Sequence, residues 1–519
     1  MTTGCQSVSG SSILPIRTKK YHMQIRPSQI PPEVVRVTEG LEKAGFEAWI
    51  VGGCVRDLLL GRTPKDWDVT TNATPEQIQA VFPHTYYTNE FGTVGVVNDD
   101  ATDEWLKVVE VTPYRLEGKY SDARRPDSVE FSQNIEDDLK RRDFTINALA
   151  YSAHQPGSPT GKGQLLDPYD GIKDMGGRWI RAVGEPRERF DEDALRIMRA
   201  VRLSAELDFT LEPTTGAALL ESAPQLEKIS KERIRDEFVR ILESAQPMKA
   251  LTLSHKLGIL QYIAPELEQG IGVEQNQAHS FDVFEHNLRS TQHAADKDWN
   301  FIVRLSALFH DVGKPKSRRW SDEKRDWTFH GHDVVGARMT KKILEGLKFP
   351  RETIEKATSL VRWHMFFSDP EKVTLSAVRR IVANVGREHI WDLVNLRICD
   401  RIGTGRPKEQ PFRLRKYQAM IEQAMRDPIS VGMLQIDGRR IIELGQKPGP
   451  RIGWALHALL EEVLEDPAKN TAEYLEGRAG ELLQLSDKEL RIIGEQAKET
   501  KEVAEEAEIK DIHKKYFVD

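Results

Sequence analysis

Between about residues 31 and 160, short runs rich in β-branched residues alternate with stretches of helical spacing. EAWIVGG, WDVTT, GTVGVV and LKVVEVTPY read as strands. The polar NDDATDEW between the last two predicts a hairpin. From about residue 185 the period changes. SAPQLEKISKERIRDEFVRILES and ATSLVRWHMFFS place apolar residues on one face of a helix. RFDEDALRIMRAVRL (189–203) predicts a single helix, with Asp191 as its N-cap and Leu195, Met198, Val201 and Ala205 on one face. The fold class that follows is α+β: a small mixed-sheet head and a long all-α body. The body contains a basic, proline-bearing stretch, RPKEQPFRLRKYQ (406–418), and ends in a charged helical tail. No internal repeat is visible.

Composition narrows this picture. At 519 residues the chain has room for about two to four domains. With 39% hydrophobic and 30% charged residues it reads as a well-charged, water-soluble protein. Its net charge of -7 excludes a generally basic nucleic-acid coat, so any nucleic acid must meet local basic patches. Three scattered cysteines, Cys5, Cys54 and Cys399, exclude a disulfide framework and a thiolate zinc knuckle. They fit a reducing compartment, and the cytoplasm is the expected location. No apolar run approaches a membrane span. The first 30 residues are read as a disordered tail.

The stretch GGCVRDLLLGRTPKDWD (52–68) carries the first chemistry. Gly52 and Gly53 end an apolar strand and precede a helix, where backbone amides attract phosphate. Arg56 projects from the first turn and Gly61 ends the helix. Asp66 and Asp68 share one face of the following strand, and two adjacent carboxylates of this kind suit Mg²⁺. A third acid on a neighbouring strand completes a two-metal site for in-line displacement, and Glu110 in VVEVTPYR is the one expected. Downstream, Asp193 and Arg196 stand three apart, turned away from the apolar stripe of their helix. A carboxylate beside a guanidinium can accept from the amino group of C or A and donate to the ring. U and G offer an oxygen there instead, and leaving the acid unpaired costs about 1–3 kcal/mol.

Together these segments resemble the DNA polymerase β-type nucleotidyltransferases. More narrowly, they resemble the bacterial and eukaryotic (class II) tRNA nucleotidyltransferases and poly(A) polymerases. RRDFTINALAY (141–151) is similar to that family's second motif, implying ribose and phosphate contacts from Arg141, Arg142, Asp143 and Asn147. LDPYDGIKDM (166–175) resembles its hinge motif through Asp170, Gly171 and Asp174, although the family more often has glycine where Asp170 stands. Glu-Asp-x-x-Arg (192–196) matches its base-selecting motif, and the resemblance adds Arg199 to the nucleotide-binding set. SKERIRDEF (230–238) resembles a motif that supplies neck-stabilising ion pairs. EGKYSDARRPDSVEF (117–131) resembles the flexible loop of full CCA-adding enzymes, with Asp122, Arg124, Arg125 and Pro126 at its core. That loop is implied to help switch the pocket from CTP to ATP. A basic segment typical of bacterial poly(A) polymerases is replaced here by TNEFG (88–92).

Histidines supply a second constellation. Seven of the fourteen fall between positions 279 and 364, and such clusters commonly bind metal. FIVRLSALFHDVGKP reads as an apolar helix ending in His310-Asp311 and resembles the HD phosphohydrolases. The ligand set implied is His286, His310, Asp311, His332, His364 and Asp400, holding one or two transition metals whose bound water hydrolyses a phosphoester. Mn²⁺, Ni²⁺, Co²⁺ and Fe²⁺ remain open. CCA-adding enzymes with a fused HD domain form such a subgroup.

The expected organisation is a disordered tail (1–30), nucleotidyltransferase head (31–165) and neck with the base-selecting helix (166–250). A helical body with the HD domain (251–410) and a C-terminal tRNA-binding region with its charged tail (411–519) follow. The expected activity is template-independent, Mg²⁺-dependent addition of CCA to tRNA from CTP and ATP, with HD-domain repair of RNA 3′ ends. A poly(A)- or A-only-adding polymerase and a primarily HD-type phosphohydrolase are the alternatives. tRNA is the expected partner, with no membrane and no obligatory protein partner.

Overall fold

The computed structural model describes residues 24–87, 92–117, 129–153, 163–276, 279–366, 373–406 and 408–499. The chain divides into two compact units. The first comprises residues 1–192 with 210–215, and the second residues 193–209 with 216–519.

In the first unit the apolar runs pair into a seven-stranded sheet. Its strands are β1 (Ala48–Val51), β2 (Asp68–Thr71), β3 (Thr85–Tyr87), β4 (Val94–Val97) and β5 (Val108–Pro113). Beyond the small hairpin of β6 (Arg115–Glu117) and β7 (Val129–Phe131), β8 (Ala150–Ser152) and β9 (Gln164–Leu166) complete it. The order is β3-β4-β5-β2-β1-β8-β9. Only β2 and β5 run parallel; the other pairings are antiparallel, so the sheet is mixed. The hairpin expected across NDDATDEW is the β4–β5 pair. Strand β2 itself begins only at Asp68, which is half-buried, and Val69, Thr70 and Thr71 are all buried; just before it Asp66 is exposed and Trp67 buried. Val51, Tyr114, Ile135, Leu139 and Ala150 pack one face of the sheet.

Helix α1 (Pro32–Lys43) precedes β1, and α2 (Gly53–Leu59) follows it at once. Gly52, at φ 82°, makes the turn between strand and helix, and Gly61, at φ 69°, lies just past the helix end. Helix α3 (Pro75–Val81) starts at a Thr74 capping box, and α4 (Ile135–Lys140) leads into the 141–151 segment. Asp170, where the family prefers glycine, adopts a left-handed conformation at φ 58° before α5 (Gly171–Gly177). Aspartate tolerates that region better than most residues. Its neighbour Gly171 has no such choice, because a Cβ there would sit 2.4 Å from the Thr145 carbonyl oxygen.

One helix of the sequence reading is two. Helix α6 (Pro186–Glu192) stops before Asp193, and α7 begins afresh (Leu195–Leu207). Asp191 lies inside α6, not ahead of a helix that runs on to 203, so it is not that helix's N-cap. Between the two helices, Asp193 accepts the Leu195 N–H at 3.0 Å, satisfying one of the unpaired donors at the start of α7. Leu195, Met198, Val201 and Ala205 of α7 are all buried, as their spacing demands.

The second unit is helical apart from one short hairpin among its described residues. Arg202 of α7 pairs with Glu237 of helix Lys231–Glu243 at 2.7 Å, both buried. Helices Val283–Asp296, Phe301–Phe309, His332–Gly346, Arg351–Trp363 and Ile390–Gly403 form a cage. Val303, Ala307, Leu360, Leu393 and Leu396 belong to the apolar core beside it. A further core formed by Ile441, Leu459, Leu475, Leu482 and Leu490 closes the described C-terminal part.

Candidate functional site

In the head, the register of the parallel pair sets Asp68 directly beside Glu110. Glu110 is raised above its ordinary value, first by partial desolvation and then by the charges of Asp68 and Asp66. Three mutually repelling carboxylates on one sheet surface are the donor set that fits a hard divalent cation. The Gly52 turn abuts them: a methyl group on it would lie 2.6 Å from Arg142 Nη1 and 3.6 Å from Asp68 Oδ2. Cys54, buried beneath, donates to the Val51 carbonyl at 3.1 Å. Its thiol is pushed up to about 12 by burial and then by Asp68, so it stays protonated.

The arginines are organised by acids and amides. Arg56 is buried rather than projecting. Its Nη1 donates to Asn147 Oδ1 at 2.7 Å and its Nε to Asp57 at 2.9 Å. Asn147 in turn donates to Asp143 at 3.1 Å, so three of the expected nucleotide-binding residues form one chain of hydrogen bonds. Arg141 and Arg142 both reach Asp138, Arg141 Nε at 3.0 Å and Arg142 Nη2 at 3.1 Å. Asp138 is fully buried. Burial alone would raise its pKa, but the two guanidiniums together hold it below the ordinary value. The sequence reading passed over Asp138; its only signal was a position on the helix turn preceding two arginines. Asp122, Arg124 and Arg125 lie outside the described residues.

In the second unit, Asp193 accepts from Leu195 N–H through one oxygen and from Arg233 Nη2, at 2.9 Å, through the other. Arg196 and Arg199 follow on α7, both half-buried. Arg233 comes from the SKERIRDEF segment, so an ion pair of that segment falls on Asp193.

The cage gathers all six expected HD residues, each of them buried. Asp311 is at its centre. Its Oδ2 lies 3.1 Å from His286 Nε2 and 3.4 Å from His310 Nε2. Its Oδ1 lies 3.3 Å from His332 Nε2 and 3.6 Å from His364 Nε2. Asp400 Oδ1 approaches His286 at 3.4 Å and His310 at 3.7 Å. Three imidazoles donate Nδ1–H to the carbonyl three residues earlier: His310 to Ala307 at 2.8 Å, His332 to Phe329 and His364 to Val361 at 2.6 Å. That fixes the tautomer with Nε2 free to ligate. Despite burial, Asp311 is held well below the carboxylate range by Lys314 and His310, and Asp400 by Arg397 and the histidines. Buried carboxylates set against imidazole Nε2 atoms are a donor set that fits transition-metal ions, and Asp311 belongs to both of the ligand groups found there.

Two residues escaped the sequence reading here. His279 stands with His286, Asp311 and Asp400 in a ligand-sized group. It was counted in the histidine cluster but carried no role. Lys314 reaches both Asp311 and Gln275, the latter at 2.6 Å. Its place one turn after Asp311 was the available signal.

Residues 48–181 match the poly A polymerase head domain, 208–271 the probable RNA and SrmB-binding site of polymerase A, and 283–402 the HD domain. The CCA-adding enzyme of Lactobacillus delbrueckii subsp. bulgaricus is 32% identical over 459 residues, spanning 87% of this chain and 99% of that one. The CCA-adding enzyme of Geobacillus stearothermophilus is 31% identical over 451 residues, spanning 85% and 95%. A solved structure of the Bacillus stearothermophilus CCA-adding enzyme in complex with CTP aligns with TM-score 0.62 and 27% identity. It covers 88% of this chain and 98% of that one. Among the described residues no helix is long and apolar enough to cross a membrane.

Proposed function

This chain belongs to the family of CCA-adding enzymes, a family of nucleotidyltransferases, and from that premise we propose that it adds C, C and A to tRNA 3′ ends from CTP and ATP. The observation that carries the reading is the register that sets Asp68 beside Glu110, next to the Gly52 turn and Arg142. Asp66, Asp68 and Glu110 would hold Mg²⁺, which when bound neutralises triphosphate and makes the 3′-hydroxyl a better nucleophile. Arg142, beside the turn, and the Arg56–Asn147–Asp143 chain would orient the triphosphate and ribose. The 3′-oxygen then attacks the α-phosphorus in line and pyrophosphate leaves.

Asp193 and Arg196 would read the base. Arg233 and the Leu195 amide occupy one lone pair on each Asp193 oxygen, leaving others for the amino group of C or A. Arg199 would steady the nucleotide from the same helix. The loop with Asp122, Arg124 and Arg125 would take part in the change from CTP to ATP, and the basic stretch 406–418 would contact tRNA in the cytoplasm. The test is a tRNA ending before CCA, incubated with CTP, ATP or both. The wild type is expected to add CMP twice and then AMP once, and Asp68→Ala to add neither. Long A tails, or A added without prior C, would favour the polymerase alternative.

A separate observation supports a second activity. The two oxygens of Asp311 face two histidine pairs, a donor set for metal-assisted hydrolysis of a phosphoester. We read this as a phosphohydrolase that clears phosphate or 2′,3′-cyclic phosphate from RNA 3′ ends. Loss of that hydrolysis in Asp311→Ala, with CMP addition retained, is the expected result.

A further inference from the structure

Between the HD ligands Asp311 and His332 the chain makes a short antiparallel hairpin, Arg319–Ser321 against Asp326–Thr328. We propose that this hairpin is a stacking platform that holds the last base of an RNA 3′ end while its terminal phosphate enters the HD site. The proposal rests on the phosphohydrolase reading of that site.

Both roots of the hairpin are built into the ligand shell. On one side, helix Lys314–Ser317 leads into it, and Lys314 bonds Asp311 and Gln275. On the other, Phe329 follows directly, and its carbonyl accepts from His332 Nδ1. The Lys314 ammonium lies 5.6 Å over the Phe329 ring, so the two roots also meet each other.

The hairpin surface has the chemistry of a single-stranded RNA site. Trp320 and Trp327 are cross-strand partners, edge to face at 5.2 Å. The Arg318 guanidinium covers Trp327 at 3.6 Å. Trp320 is left 52% exposed, and its Nε1–H donates to Asp322 Oδ1 at 3.1 Å, which fixes the indole edge. Between positions 316 and 328 there are five basic residues and three acidic ones, in a chain of net charge -7. An ordered, half-exposed indole with basic neighbours matches a base and its phosphate. A purely structural tryptophan pair would explain the edge-to-face contact and Arg318, which also meets Glu274 at 3.7 Å, but gives no reason for leaving the Trp320 indole exposed beside a site read as acting on phosphate.

The test uses the full chain loaded with Mn²⁺, Ni²⁺ or Co²⁺ and two substrates. One is a trinucleotide ending in a 2′,3′-cyclic phosphate; the other is bis(p-nitrophenyl) phosphate, which has no base. Stacking of the usual strength corresponds to a change of about 5- to 150-fold. Trp320→Ala should therefore raise KM for the trinucleotide at least fivefold. Its kcat, and its kcat/KM on bis(p-nitrophenyl) phosphate, should stay within twofold, and Trp320→Tyr should restore KM. An unchanged KM overturns the platform, as does an equal loss on both substrates that Trp320→Tyr does not rescue. If the wild type hydrolyses neither substrate, the phosphohydrolase reading falls. The platform is then decided by anisotropy of a 5′-fluorescein trinucleotide 3′-phosphate, which Trp320→Ala must weaken at least fivefold or the proposal fails.

Discussion

Single side chains in the head already show what the site needs. Glu110 is raised above its ordinary value by desolvation and by Asp68 and Asp66, so its charge is disfavoured while no cation is bound. A carboxylate whose folded value is raised binds its proton more tightly in the native state. The metal-free protein then loses stability as pH climbs from the unfolded value of 4.5 through the raised one. Glu110→Gln should thus melt at a higher temperature than wild type in EDTA at neutral pH, with the gap closing below about pH 4.5. Mg²⁺ should raise the wild-type Tm more than the variant's. A Gln variant less stable than wild type in EDTA would contradict this account. The residues proposed to carry the chemistry could be picked out by type and spacing. The residues that hold them could not: Asp138 and Arg233 act through folds of the chain that bring them to Arg141, Arg142 and Asp193.

At the scale of elements, close approaches decide the HD cage. Helix His332–Gly346 passes so near the end of helix Phe301–Phe309 that a Cβ on Gly313 would lie 2.3 Å from the His332 carbonyl oxygen and 2.6 Å from Gly336 N. Neither is a flexible side chain that can turn away. Gly313→Ala should destabilise the second unit by about 1–3 kcal/mol, the usual range for overpacking. It should also lower the metal content by separating His332 from Asp311. Denaturant melts and metal analysis of the purified variant check both effects, and full metal occupancy would refute the second. Strands and helices were legible because their periods, two and 3.6, come from local geometry. The break in the helix read over 189–203 was not, because no change in apolar spacing marks it; Asp193 there bonds the Leu195 amide and an arginine from 40 residues later.

For the molecule as a whole, two sets of functional residues lie in largely separate stretches of chain, one around Asp66, Asp68 and Glu110, the other around Asp311. Asp311→Asn should bind less transition metal and lose hydrolysis of 2′,3′-cyclic phosphate ends. Its CMP and AMP addition should remain within about twofold of wild type, less than 1 kcal/mol in barrier. A matching loss of nucleotide addition would mean the two activities are not independent. The acidic net charge, read from composition, leaves RNA contact to local basic surface, for which the Arg318–Arg319 hairpin root and the 406–418 stretch are the segments proposed.

By itself, the sequence determined the head-then-helices order, the paired strand acids, the Gly-Gly turn and the histidine order of the second constellation. Each of these is written in spacing or residue type over a short stretch. Only the tertiary structure decided that Glu110 lies in register with Asp68 and that Arg56 turns inward to Asn147. The same holds for Asp311 facing two histidine pairs at once and for a tryptophan hairpin rising from its ligand shell. Those outcomes depend on which strands pair and how closely helices approach, which long-range packing sets and local pattern does not.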